Sequence, residues 1–92
     1  MTDVYISCAR VDAERMAPLV EAVQAEGWRV WFEPDASPAR REHAIDAELG
    51  AAGAVIVLWT GSSRESEFVR TEAATGLYRN KLIQITLDGD MP

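Results

Sequence analysis

Four side chains of this 92-residue sequence have types and settings that could do chemistry: Cys8, His43, Glu67 and Glu72. Glu67 has Arg64 and Arg70 three positions to either side, the spacing of ordinary ion pairs on a helix surface. Glu72 is different. At three and four residues it meets Phe68, Val69, Thr75 and Gly76, so it has no local cation and borders apolar and small side chains. A carboxylate so placed invites a role other than helix stability, although a boundary glutamate reaching water has the same spacing. Cys8 closes a short apolar strand and reads first as a buried small residue, second as a nucleophile. His43 lies in a charged helical stretch and reads as a solvated surface histidine.

Several chemistries lack their signatures. No GxGxxG, Walker A, HExxH or GxSxG pattern occurs. One cysteine and one histidine leave no metal cluster of usual composition and no internal disulfide, so no metal is expected. A receiver-type phosphoacceptor needs carboxylates at the strand ends to hold magnesium, and Ser7-Cys8-Ala9 and Trp59-Thr60-Gly61 supply none. Fifteen acidic against nine basic residues give a net charge of -6, which opposes attraction to nucleic acid or anionic lipid. The longest apolar run, Ala54 to Trp59, is too short to span a membrane, and no signal-peptide pattern opens the chain. A cytoplasmic protein without nucleic-acid or membrane partners is expected.

The elements that must position these residues follow from the apolar pattern. Asp3 to Ser7 is a short buried strand. Asp12 is an N-cap for a helix from Ala13 to about Glu26, with Met16, Leu19, Val20 and Val23 on one face and Pro18 predicting a bend or a frayed first turn. Trp28 to Glu33 is a second strand, and Pro34 to Pro38 rejects both helix and strand interior. Ser37 before Pro38 starts a helix that buries Ile45 and Leu49 and ends at Gly50 to Gly53. Ala54 to Trp59 does not alternate, as befits a central parallel strand covered on both faces. Ser62 and Glu65 make a capping box for one helix to about Arg79. Lys81 to Asp88 is a last strand whose alternation predicts one wet face at a sheet edge. Strands alternating with helices give a single three-layer α/β domain with a parallel sheet.

These segments, in this order, resemble a bacterial TIR (Toll/interleukin-1 receptor) domain. The resemblance rests on Asp3-Val4-Tyr5-Ile6-Ser7, Gly27-Trp28-Arg29-Val30-Trp31-Phe32-Glu33, Val55-Ile56-Val57-Leu58-Trp59-Thr60, Ser66-Glu67-Phe68-Val69-Arg70-Thr71-Glu72-Ala73 and Lys81 to Gly89. It implies a flavodoxin-like fold with strand order B-A-C-D, lacking the family's final strand and helix, and an N-terminal part of a larger protein. It also implies homotypic contacts through the loop after the second strand, the BB loop, here Glu33 to Arg41. Many TIR domains cleave the nicotinamide-ribose bond of NAD+ with a glutamate in a (W/F)-V-x-x-E setting, which Phe68-Val69-Arg70-Thr71-Glu72 matches. By resemblance Glu72 is the catalytic acid, stabilising positive charge on the ribose, and Arg10, Phe68, Trp31, Ser62 and Arg41 are the substrate-binding positions. NAD+ is then a substrate, and no cofactor is implied.

Two readings follow. In the first the chain is an NAD+ glycohydrolase that becomes active on oligomerisation in antiphage defence or nucleotide signalling, and Glu72→Ala abolishes turnover with the fold intact. In the second the same surfaces join TIR domains and no bond is broken. Arg41, where the family often has an aromatic, and a short Pro-rich, glycine-free loop favour the second. A Glu72 carboxyl turned away from any hollow and locked to an arginine would defeat the first.

Overall fold

A strand without alternation has to be covered from both sides, and that requirement sets the layers of the molecule. The structure, a computed structural model, describes residues 2–86. Four strands, β1 (Val4–Ser7), β2 (Val30–Trp31), β3 (Ala54–Trp59) and β4 (Leu82–Thr86), form one all-parallel sheet in the order β2-β1-β3-β4. This is the B-A-C-D order. The register pairs Tyr5 with Trp31 and Val55, and Val57 with Ser7 and Gln84. Leu87 and Asp88, placed in the last strand by the sequence pattern, lie outside the described residues.

Period-two side chains divide the sheet into two faces. Val4, Ile6, Ile56 and Leu58 pack with Cys8 under Met16 of α1 (Ala13–Ala25). Tyr5, Val55, Val57 and Trp59 point the other way, against α2 (Pro38–Ala44), its continuation, and the two helices after β3.

Helix α1 runs through Pro18 without a break, and its first turn is formed. The N–H that proline lacks would have met the carbonyl of Glu14, and both residues are exposed, so water can take that acceptor. Asp12 occupies the N-cap position without capping, because its carboxylate accepts from Thr60 Oγ1 at 2.7 Å. Strand β2 is shorter than the predicted Trp28 to Glu33. The Arg29 carbonyl is taken by the amides of Asp3 and Val4, and Trp28 before it is 54% exposed.

Helix α2 starts as expected, with Ser37 Oγ accepting from the Arg40 amide and Pro38 in the first turn. It passes into a π-helical stretch, Ile45–Leu49, whose end is held by Lys81: Nζ donates to the carbonyls of Leu49 at 2.8 Å and Ala52 at 2.6 Å. The single helix predicted after β3 is two, α3 (Gly61–Glu65) and α4 (Glu67–Tyr78), because Ser66 is extended with ψ 119° and caps α4 through the Val69 amide. The capping box is Thr60 with Ser63, and not Ser62 with Glu65.

Gly76 brings α4 close to the sheet, since a Cβ there would stand 3.1 Å from Val55 Cβ. On β4 both Ile83 and Gln84 are exposed, so edge position rather than face decides what is wet.

Candidate functional site

On α4 the inward stripe is Val69, Glu72, Ala73 and Gly76, the three- and four-residue spacing of one helix face. Glu72 therefore enters the core with its apolar neighbours, and its exposure is 0%. A charge taken out of water must be fully bonded to be tolerated. Three side chains from two elements supply the bonds. Tyr5 and Ser7, two apart on β1 and so on one face, donate their hydroxyls to the carboxylate, Ser7 at 2.7 Å. Arg41 from α2 donates through Nη2 to Oε1 at 2.7 Å and through Nε to Oε2 at 3.3 Å.

Arg41 is itself 5% exposed and reaches further. Its Nη2 also faces the Cys8 carbonyl at 3.4 Å and its Nη1 the Pro34 carbonyl at 3.5 Å, while the guanidinium lies 5.5 Å from the Phe68 ring centre, within cation–π range. Tyr5 stacks on Trp31 with centroids 4.4 Å apart and planes 7° from parallel. Among the described residues no buried side-chain nitrogen or oxygen is left without a partner.

Electrostatics keep the neighbours neutral. Burial, reinforced by the Glu72 charge, raises the Tyr5 phenol well above its ordinary range. Burial, then the Asp12 charge, pushes the Cys8 thiol up to about 12. A thiol so protected is no nucleophile at neutral pH.

The remaining positions expected to bind substrate are engaged or separated. Arg10 Nε pairs with Asp35 Oδ1 at 2.7 Å on the surface. Trp31, 7% exposed, presents a ring to Tyr5 and the core, and Phe68 is half-buried beside Arg41. Ser62 is exposed on the five-residue α3, where the next amide, that of Ser63, already donates to Thr60 Oγ1. Two surface hollows have volumes of about 270 and 320 Å³. The first lies between Trp31, Glu33, Arg40, His43 and Glu48, the second beside Trp28 and Gly53. Glu72 lines neither.

So the structure brings together Glu72, Arg41 and Phe68, and leaves Arg10 and Ser62 on the surface. Because buried Glu72 ties α4 to β1 and α2, Glu72→Ala would strand a buried arginine, which argues against the expectation that this substitution spares the fold. Sequence reasoning missed Arg41 as its partner, 31 positions away. Two oddities marked the pair, a carboxylate without a local cation and a cation at an expected aromatic, and joining them would have found it.

No group of three His, Cys, Asp or Glu among the described residues is placed to hold a metal ion, and no helix there is long and apolar enough to cross a membrane. A parallel sheet in this order with helices on both faces defines a flavodoxin-like fold. The TIR domain family profile matches residues 4–92, and the chain belongs to that family. Among solved structures it is similar to the TIR domain of the Toll-related receptor TRR-2 from Hydra magnipapillata, with a TM-score of 0.85 and 20% identity over 100% of this chain and 76% of that one. At that identity the likeness is one of fold. No curated protein matches the chain.

Proposed function

We propose that this chain is a TIR–TIR interaction module of the cytoplasm, which joins a second TIR domain through the loop of residues 33–41 and breaks no bond in the arrangement described. The observation that carries this reading is the state of Glu72: buried, lining neither of the two hollows described, and shared by Arg41, Tyr5 and Ser7. A carboxylate so occupied has no free face for a ribose, and Arg10 is committed to Asp35.

The Phe68-Val69-Arg70-Thr71-Glu72 match is what speaks for NAD+ cleavage, and that chemistry requires Arg41 to release Glu72. The test is to crowd the protein at high concentration or on a surface with NAD+, following nicotinamide by chromatography and association by sedimentation. Concentration-dependent association, strengthened by salt because screening relieves the repulsion of a -6 charge, and no nicotinamide is the expected result. Nicotinamide release that disappears in Glu72→Gln overturns it.

A further inference from the structure

The docking loop is tied down twice, by bonds of unequal quality. Its outer ties are Arg10 to Asp35 and Arg40 to Glu33, with side chains between 39% and 75% exposed. Pairs in that setting contribute little. The inner tie is Arg41. Its backbone amide donates to Ser37 at the end of the loop at 2.9 Å, and its guanidinium faces the Pro34 carbonyl in the middle and the Cys8 carbonyl at the end of β1. What holds that guanidinium under the loop is Glu72.

We infer that Glu72 and Arg41 are a positioning pair for the docking loop: the carboxylate fixes the arginine, and the arginine fixes where residues 33–37 sit over β1. The pair stands on the geometry alone, and its consequence for partner binding rests on the interaction reading above. A planar guanidinium suits the task because it donates to carboxylate and carbonyls at once, whereas a lysine ammonium on a flexible stem serves as a point charge. The cost of desolvating two charges is offset by the bonds they make, and the return is a defined loop rather than a more stable core.

Amide hydrogen exchange provides the test, with Ala36, which donates to the Glu33 carbonyl at 3.0 Å, as the loop reporter and the β3 amides as the core reporter. Two variants are needed. Arg41→Lys keeps a cation for Glu72 and gives up the carbonyl contacts. The neutral pair Arg41→Met with Glu72→Gln removes the ionic tie without leaving a lone charge. In both, exchange at Ala36 should rise relative to β3, by about tenfold or more in the neutral pair and about threefold to tenfold in Arg41→Lys. If Ala36 and β3 change together, or neither changes, the inference is overturned. Should the neutral pair fail to fold, Arg41→Lys decides by the same criterion. Self-association of the same samples should weaken in step with Ala36. Failure of the wild-type chain to associate overturns the interaction reading alone, since the exchange comparison needs only the monomer.

Discussion

The two faces of the sheet hold the molecule together in different ways. Under α1 the packed core side chains are Val4, Ile6, Cys8, Met16, Ile56 and Leu58, with one buried polar bond, Thr60 to Asp12, at the start of the helix. Facing α2 and α4, the apolar residues Val55, Val57 and Val69 surround a buried ionic cluster of Tyr5, Ser7, Arg41 and Glu72. Apolar packing is non-directional, so the α1 face stabilises the domain without dictating where any loop goes. Hydrogen bonds to a charge are directional, so the opposite face fixes one strand, two helices and a loop relative to each other. Alternate residues of β1 serve the two faces: Ile6 turns to one, Tyr5 and Ser7 to the other.

The sharpest way to break this contrast is to truncate one residue on each face. Glu72→Ala leaves the Arg41 guanidinium buried and unpaired, and should cost about 3 to 5 kcal/mol in urea denaturation. Leu58→Ala, at a side chain of 0% exposure, should cost about 2 to 5 kcal/mol through lost burial and a cavity. The losses overlap in size and should differ in kind. Proteolysis within residues 33–37 should accelerate beyond the loss of global stability in Glu72→Ala, and should track it in Leu58→Ala.

Alkaline titration separates the faces by their protons. Cys8 on the α1 face and Tyr5 on the other both have raised pKa values, so the folded state keeps protons that the unfolded chain releases. The Cys8 contribution is therefore complete below pH 9, the ordinary thiol value, and is lost as pH climbs through about 12, while the Tyr5 contribution is complete below 10 and only begins to fade above it. Urea midpoints should fall across that window. Cys8→Ala should remove the part of the fall that begins near pH 9, and Tyr5→Phe the part that begins near the ordinary phenol value of 10.

Packing closeness gives a smaller effect. In Gly76→Ala the new methyl would meet Val55 Cβ at 3.1 Å and Cγ1 at 3.3 Å, so Val55 or α4 must give by a few tenths of an ångström. Overpacking of this kind should cost about 1 to 3 kcal/mol, read as a lowered thermal midpoint. A midpoint at or above wild type would mean that α4, and Glu72 with it, is free to adjust.

Local signals made most of the fold legible. The unalternating run of β3, the Ser37-Pro38 helix start and the α1 stripe each act within a few residues, and each stands where expected. What failed was competition between a local bond and a distant one. Asp12 is an N-cap by type and position, yet Thr60 takes its carboxylate. Thr60 itself, not Ser62, caps α3, which hands the next helix start to Ser66. The site followed the same rule. Glu72 stands out in the sequence because nothing within a helical turn pairs with it, and the fold brings its partner, Arg41, from 31 positions away.

The smallest expected effect concerns the outer ties of the loop of residues 33–37. Asp35→Ala removes the Arg10 pair, whose side chains are 73% and 75% exposed, and should change stability by less than about 1 kcal/mol. Glu33 adds a modest acid dependence. The Arg40 guanidinium holds its carboxyl below the usual range, so the stabilisation present above that range is lost as pH falls through the lowered value. Both effects should fade in high salt, which screens exposed pairs far more than buried ones. The contrast with the inner tie can be measured directly: at 1 M NaCl, loop exchange in Asp35→Ala should match wild type, while Arg41→Lys should still exchange faster. If salt erased the Arg41→Lys difference as well, the buried pair would be no stronger an anchor than the surface ones, and the distinction between the loop's two sides would fall.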